Sequence, residues 1–243
     1  MDTIKFQLNA RRQPYGQGAD LSLLNESVGN EVLAFHQKFP DYRVTPLRKL
    51  EFLSQRLGLG SIHIKDEAQR FGLNAFKGLG GSYAMGKYLA ALLERDINTL
   101  SFAELNSPVI KARIKDIVFV TATDGNHGRG VAWAAEQLGL RAVVYMPKGS
   151  SPVRAQNIRR HGAECTITEL NYDDTVRLAA KTAREQGWVL LQDTAWQGYE
   201  QIPTWIMQGY MTLAVEIWQQ LAESGASMPT HLFLQAGVGS FAG

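Results

Sequence analysis

The feature that most constrains the fold is a repeated alternation of apolar segments, small-residue turns and amphipathic segments that begins at Asp116. The apolar segments predict strands at 117–122, 141–147, 165–170 and 188–193, and the amphipathic segments predict helices at 128–139, 151–163 and 173–187. Strands separated by helices of this length favour a parallel sheet with right-handed crossovers. The pattern therefore predicts a smaller α/β domain at 91–196.

The segments on either side predict a second, larger domain formed by 1–90 and 197–243. Its predicted elements are a strand at 61–66, a helix at 78–95, a helix at 209–222 after an irregular stretch, and a buried strand at 231–236. The last strand runs into a glycine-rich turn, where the sequence stops. Since a parallel α/β domain does not normally end on its ligand-binding loop, we expect this domain to be incomplete at its carboxyl end. The predicted fold class is α/β, with two open parallel sheets.

The composition excludes several classes of protein. Lys and Arg total 25 and Asp and Glu total 23, and the resulting net charge of +2 gives no reason to expect a nucleic acid or an anionic membrane as partner. Cys165 is the only cysteine, which excludes an internal disulfide framework. No apolar run approaches the roughly 18 residues of a membrane span, and the amino terminus lacks the apolar core of a secretory signal. We expect a soluble, cytoplasmic protein.

Lys77 is the first candidate for chemistry. It lies in the segment NAFKGLGGS, at the predicted start of a helix. The helix dipole places partial positive charge there, which disfavours an ammonium group and favours a neutral amine suited to a Schiff base. Gly78, Gly80 and Gly81 would let a bulky ligand approach the backbone. The alternative is a surface lysine whose side chain extends into solvent.

The turn TATDGNHGRG at 121–130 follows a predicted strand and opens a predicted helix. Ligands of open α/β sheets bind at such carboxyl strand ends, and Asp124 and Asn126 offer a carboxylate and an amide there. Both residue types are also favoured as helix N-caps without any further function. Asp193 ends another predicted strand, where a turn or cap is again the simplest alternative.

Gly237, Val238, Gly239 and Ser240 form a turn after the predicted strand at 231–236. Consecutive backbone amides in such a turn could hold a phosphate. The segment also matches the G-x-G-x-x-A pattern of dinucleotide-binding proteins, which makes a nicotinamide oxidoreductase an alternative. The histidines show no spacing typical of metal ligands, so we expect no metal site and interpret them as structural or solvated. They are His36, His63, His127, His161 and His231.

This order of a lysine at a helix start, an asparagine turn and a glycine-rich turn resembles that of the fold-type II pyridoxal-phosphate enzymes. The family includes tryptophan synthase β and the threonine and serine dehydratases, and the resemblance runs from about residue 43 to the end. Further matches are TPL at 45–47, IKDE at 64–67 and the helix from 152 to 163. The resemblance implies a homodimer with pyridoxal 5'-phosphate as cofactor.

The resemblance also implies roles for individual residues. Lys77 would bind the cofactor covalently as a Schiff base, and Asn126 would hydrogen-bond the 3-oxygen of the ring. Gly237, Val238, Gly239 and Ser240 would bind the phosphate. No position of this sequence aligns with the family's contact to the pyridine nitrogen.

Two departures from the ordinary dehydratases point to a subgroup. Ala75 stands where dehydratases have serine before Phe-Lys, and Asp124 replaces a small residue before Gly-Asn-His. Together with LLQDTAW at 190–196, they resemble the ammonia-lyases that convert 2,3-diaminopropionate to pyruvate and ammonia. An added carboxylate can pair with the second ammonium of such a substrate. We therefore expect Lys77, Asp124 and Asp193 to be catalytic, with Lys77 as a base on one face of the substrate.

Three alternatives remain open. The first is a threonine or serine dehydratase of the same fold, and the second is the nicotinamide oxidoreductase. The third is an inactive remnant of such an enzyme, because the chain stops directly after the predicted phosphate turn.

Overall fold

The computed structural model describes Ala10 and residues 21–242. The predicted larger domain therefore extends beyond the described residues at both ends, and the segment tested for a secretory signal lies outside them. The helices are α1 (Glu26–Gln37), α2 (Glu51–Leu57), α3 (Lys77–Leu92), α4 (Phe102–Leu105), α5 (Pro108–Ile114), α6 (Asn126–Gln137), α7 (Pro152–Arg159), α8 (Tyr172–Gln186) and α9 (Gln201–Glu223). The strands are β1 (Leu47–Lys49), β2 (His63–Lys65), β3 (Val118–Ala122), β4 (Arg141–Met146), β5 (Glu164–Ile167) and β6 (Val189–Leu190).

The predicted parallel sheet is confirmed for the unit that begins at Asp116. Its strand order is β5-β4-β3-β6, and every neighbouring pair is parallel. All five residues of β3 are buried because both faces of the sheet are covered. Phe119 joins the large core that includes α3 and α6, whereas Val118 and Val120 pack with Ala179 and Ala183 of α8. The alternating direction of strand side chains accounts for this division.

Helix α3 lies against both α6 and α9, and glycines set the closeness of these contacts. A Cβ atom on Gly80 would lie 2.7 Å from the ring of Tyr210 in α9, and one on Gly130 of α6 would lie 2.7 Å from the backbone of Lys77. Gly78 and Gly81 are also surrounded by protein atoms. The prediction that the glycines after Lys77 admit a ligand is therefore wrong, because helices fill that space.

Two predicted segments differ from the structure. The strand at 231–236 is wrong: the segment has no strand partner among the described residues, and Phe233 is 91% exposed. A strand is stable only when a neighbour satisfies its backbone groups. Helix α9 begins at Gln201, inside the stretch interpreted as irregular. Pro203 is tolerated there because the first helical turn needs no donor from its nitrogen.

The second sheet in the described part of the chain consists of β1 and β2, which pair antiparallel, where the pattern predicted a parallel sheet. The α/β class with a parallel sheet is thus confirmed by the unit around β3. No helix within residues 21–242 combines the length and apolarity that a membrane span requires.

Candidate active site

A cavity of about 420 Å³ opens at the carboxyl ends of β3 and β6. Its volume lies within the range of about 300–1,000 Å³ that is typical of small-molecule sites. Its walls come from the start of α3, the β3–α6 turn, the start of α8, Asp193 beyond the end of β6, and the loop at 235–241. The predicted site residues all line this cavity; they are Lys77, Asp124, Asn126, Asp193, Gly237, Val238, Gly239 and Ser240.

Lys77 and Asp193 form an ion pair, although 116 residues separate them in sequence. Nζ of Lys77 donates a hydrogen bond to Oδ2 of Asp193 at 3.0 Å. Burial works against the ionised form of Asp193, but the charge and the hydrogen bond of Lys77 favour it, and the pKa of this carboxyl lies below its usual range. The carboxylate therefore fixes the position of the amine at the cavity wall.

Asp124 does not serve as the cap of α6. Gly125 occupies the N-cap position, and no side chain accepts a hydrogen bond there. The carboxylate of Asp124 is exposed in the cavity wall and makes no hydrogen bond within the described part of the chain, while its backbone oxygen accepts one from Arg154. Asn126, the first residue of α6, is exposed in the same wall. The N-cap alternative therefore has no support, and the carboxylate and amide are available to a ligand.

The loop at 237–240 is held in place by the residues that follow it. The ring of Phe241 packs against Phe76 with centroids 4.4 Å apart, and the nitrogen of Ala242 donates to the oxygen of Gly239 at 2.9 Å. Gly239 has a φ of +101°, which disfavours any residue with a side chain. The hydroxyls of Ser240 and Tyr210 are buried near each other, and neither has a hydrogen-bond partner of good geometry among the described residues. Since buried polar groups are normally paired, the hydroxyl of Ser240, which lines the cavity, indicates a site for a polar ligand.

His127, which the sequence pattern favours as structural or solvated, also lies at the cavity wall. The ring is buried, and its Nε2 lies 2.8 Å from the backbone oxygen of Leu191. Its Nδ1 lies 3.7 Å from Oδ2 of Asp193 and has no hydrogen-bond partner in the part of the chain that the structure describes. Burial lowers the pKa of His127, which keeps the imidazole neutral. The sequence feature that could have indicated a site role for His127 is its position next to Asn126 in the strand-to-helix turn.

Tyr172 and Gln192 were also missed. The side-chain oxygen of Gln192 accepts from the backbone nitrogen of Ala122 at 3.0 Å. Its amide nitrogen lies 3.4 Å from both the Tyr172 hydroxyl and Oδ1 of Asp193. Burial raises the pKa of Tyr172, so the phenol keeps its proton. Gln192 thereby connects the carboxylate of Asp193 to the sheet and to a neutral hydroxyl.

Comparison with known proteins gives a consistent result. Residues 38–243 match the family described as pyridoxal-phosphate dependent enzyme. The diaminopropionate ammonia-lyase of Salmonella typhimurium is 76% identical over 242 residues, which cover 100% of this chain and 60% of that relative. The crystal structure of the Escherichia coli diaminopropionate ammonia lyase in complex with D-serine matches with a TM-score of 0.87 and 53% identity, covering 91% of this chain and 56% of that one.

A more distant relative shares part of the sequence. The biosynthetic L-threonine dehydratase of Haemophilus influenzae is 31% identical over 204 residues, covering 82% of this chain and 32% of that relative. The chain spans about 60% of the length of the curated ammonia-lyases that it matches.

Proposed function

The chain belongs to the family of pyridoxal-phosphate dependent enzymes, and on this basis we propose that it acts as an ammonia-lyase that converts 2,3-diaminopropionate to pyruvate and ammonia. The observation that carries the proposal is the pair of carboxylates at one cavity. Asp193 contacts Lys77, and the carboxylate of Asp124 does not cap helix α6. A diamino acid brings a second ammonium group into the site, and an added carboxylate can pair with it. Relatives that are 76% and 49% identical to this chain carry this activity in their names.

The residues of the cavity fit pyridoxal 5'-phosphate, the cofactor of the family. The buried hydroxyl of Ser240 and the backbone amides of 237–240 would hold the phosphate. Lys77 would hold the aldehyde carbon, and the amide of Asn126 would bind the 3-oxygen of the ring. When bound, the cofactor supplies an electron sink for the pair left behind on loss of the α-proton.

Lys77 is the group that moves the α-proton in this proposal. Its Nζ lies at the cavity wall, and the contact with Asp193 limits the positions that the amine can take. Once Lys77 is neutral, the Asp193 carboxylate is free to bind the β-ammonium of the substrate or to assist proton transfer to the leaving amine. Asp124 approaches the cavity from the β3–α6 turn and is the candidate base for the other face of the substrate.

Two of the three alternative functions have less support than the ammonia-lyase, each for a separate reason. The dinucleotide pattern requires a strand before its glycines, and residues 231–236 form none. A threonine or serine dehydratase acts on a hydroxyl leaving group, which gives no use for the carboxylate of Asp124. An inactive remnant would retain the cavity but release no product, and only an assay separates it from an enzyme.

A substrate panel with covalent mapping tests the proposal. Holoenzyme is incubated with both enantiomers of 2,3-diaminopropionate, with serine and with threonine, and pyruvate, 2-oxobutyrate and ammonia are measured. Borohydride reduction followed by mass spectrometry locates the cofactor. We expect pyruvate from diaminopropionate in excess of any other product, and an adduct on Lys77 that Lys77→Ala abolishes.

The matched control is Lys87→Ala, which removes another lysine of α3 whose side chain lies away from the cavity lining. It should keep both the adduct and the turnover. A stable adduct on another lysine, or a preference for threonine, would contradict the proposal.

We also propose that the chain divides into the two domains expected from the sequence, 91–196 and the remainder. The cavity supports this division, because Lys77 and the loop at 237–240 belong to one part and Asp124, Asn126 and Asp193 to the other. Limited proteolysis with and without pyridoxal phosphate would detect the boundaries as sites that the cofactor protects.

We also propose that the protein forms a homodimer and is located in the cytoplasm. The family resemblance supports the dimer, and light scattering after gel filtration would measure its mass. The single cysteine, Cys165, is free and buried, which suits a reducing compartment. Cell fractionation with detection of the protein in the soluble cytoplasmic fraction tests the location.

A further inference from the structure

His127 occupies the second position of α6, at the cavity wall between the backbone of Leu191 and the carboxylate of Asp193. A carbonyl oxygen can only accept a hydrogen bond, so the contact of 2.8 Å to Leu191 places the proton of the neutral ring on Nε2. Nδ1 then carries no hydrogen, and its lone pair can only accept one. It is buried, it has no hydrogen-bond partner within residues 21–242, and it faces Oδ2 of Asp193 at 3.7 Å.

Two acceptors that face each other without a proton repel. The arrangement becomes favourable when one proton enters the gap, because Nδ1–H could then donate to Oδ2 of Asp193. The same Oδ2 already accepts a proton-bearing group, the ammonium of Lys77, at 3.0 Å. Lys77, Asp193 and His127 therefore form a continuous series of donor, carboxylate and empty acceptor.

We propose that His127 is a positioning residue that receives, through Asp193, the proton that Lys77 must lose before its amine can bond to the cofactor. The inference rests on the proposed function only in so far as Lys77 is the cofactor lysine. In this transfer an N–H bond of the Lys77 ammonium breaks and its electron pair stays on Nζ. The lone pair of Nδ1 forms the new N–H bond, and Asp193 is unchanged afterwards. The neutral amine would then be free to bind the aldehyde carbon of the cofactor, with the two hydrogens left on Nζ departing with the aldehyde oxygen as water.

The surroundings make the imidazolium a short-lived holder of the proton. Burial and the positive end of the α6 dipole oppose the charge on His127, whereas Asp193 favours it. Among the described residues, the charged groups that act on the ring are Asp193 and Lys77. Arg154 of α7 is bonded to the backbone oxygen of Asp124, and the residues of β3 are uncharged. The imidazolium of His127 can therefore return the proton to Lys77 through Asp193.

The first experiment reads the tautomer directly. Long-range ¹H–¹⁵N NMR of the histidine-labelled protein without cofactor should show His127 as a neutral ring protonated at Nε2 at neutral pH. A proton on Nδ1 instead would overturn the proposal, since the acceptor would already be occupied. This measurement uses the unmodified protein and does not depend on how a variant folds.

The second experiment measures how fast Lys77 bonds to added pyridoxal phosphate, followed by the visible absorbance of the product. In His127→Gln the amide can still donate to Leu191 but cannot take up a proton. We expect the rate at neutral pH to fall about 100-fold, to recover as pH rises because hydroxide removes the proton, and to recover in part with imidazole buffer. His161→Gln, which alters a histidine paired with Glu136 at the surface, is the control and should keep the wild-type rate.

A merely structural His127 would give a different result. His127→Gln would then melt earlier or bind the cofactor less tightly, with an unchanged pH dependence and no effect of imidazole, and the proposal would be wrong. Because the measured step needs no amino acid, a protein that fails to act on diaminopropionate would disprove the proposed function and still report on His127.

Discussion

At the scale of single residues, the two acidic side chains of the cavity differ in their surroundings. Asp193 is only 5% exposed and pairs with Lys77, so its position is set by the protein. Asp124 is exposed and makes no hydrogen bond through its carboxylate within the described residues. A buried, paired carboxylate orients a neighbour, whereas a free one at a cavity wall binds or deprotonates a ligand.

Asp124→Asn tests this difference. The melting temperature should change little, because Gly125 rather than Asp124 occupies the cap of α6. Turnover should fall about 100-fold for at least one enantiomer of diaminopropionate, since the amide cannot act as a base. Thermal melting and pyruvate release measure the two effects. Asp173→Asn, an exposed carboxylate in the first turn of α8, is the control, and unchanged turnover of both enantiomers by Asp124→Asn would contradict the assignment.

At the scale of elements, α3 carries Lys77 and is held from two sides. Gly130 lets α6 approach the start of α3, and Gly209 lets α9 approach Leu79 and Gly80. These close contacts fix the helix whose first residue presents the amine to the cavity. The precision of the site therefore depends on helix packing some distance from the reacting groups.

Gly209→Ala should destabilise the protein by about 2–3 kcal/mol. The added Cβ would lie 2.6 Å from the backbone oxygen of Leu79 and 2.7 Å from Cα of Gly80, and backbone atoms cannot move away as a flexible side chain could. Urea unfolding measures the change in free energy. Gly60→Ala, where no atom lies within 4 Å, should be neutral; equal effects at the two positions would disprove the packing argument.

His36 joins three helices, and its burial predicts that the free energy of unfolding depends on pH. Its Nδ1 lies 2.7 Å from the hydroxyl of Thr212 in α9, and its Nε2 lies 3.0 Å from the oxygen of Leu79 in α3. Burial lowers the pKa of His36 from 6.5 to about 3. The unfolded chain therefore binds a proton before the folded protein does, and stability falls as pH drops from about 6.5 toward 3.

The effect is measured as the free energy of unfolding in urea between pH 4 and 7.5. One such group contributes at most about 1.4 kcal/mol per pH unit. His36→Gln should reduce the slope, while His231→Gln, an exposed histidine, should leave it unchanged. Identical slopes for His36→Gln and the wild type would show that the pKa of His36 does not differ between the folded and unfolded states.

At the scale of the whole molecule, a buried network of charges joins segments that are far apart in sequence. Both carboxylate oxygens of Glu216 in α9 accept from the guanidinium of Arg70, at 2.8 and 2.7 Å. Lys65 of β2 lies 2.6 Å from Oε2, and the hydroxyl of Tyr42 donates to Oε1 at 2.7 Å. Burial opposes ionisation, but these partners outweigh it and keep the pKa of Glu216 below its usual range.

Glu216→Gln should lower the free energy of unfolding by about 3 kcal/mol, because it leaves the buried guanidinium of Arg70 with one charged partner among the described residues, Glu67. In the wild type this stabilisation is present above the unfolded pKa of Glu216 and is lost as pH falls through its lowered folded value. Urea unfolding checks both effects. Glu223→Gln, an exposed residue at the end of α9, is the control, and a loss below about 1 kcal/mol at Glu216 would contradict the network's importance.

The sequence by itself determined the elements of the parallel sheet and part of the cavity lining, namely Lys77, Asp124, Asn126, Asp193 and the turn at 237–240. Strand and helix periodicity is local, so β3, α6 and β4 could be predicted from Asp116 onward. Carboxyl ends of parallel strands meet at one edge, which brought Asp124 and Asp193 to the same cavity. The family resemblance then supplied the cofactor.

Only the tertiary structure decided which groups contact one another. The pairing of Lys77 with Asp193, the bare Nδ1 of His127 and the use of Gly80 in helix packing all depend on atoms brought together from distant parts of the chain. The segment at 231–236 has the composition of a strand, but a strand forms only where a neighbour accepts and donates its hydrogen bonds. Local patterns specify elements, whereas partners, burial and proton positions arise from long-range packing that no short segment contains.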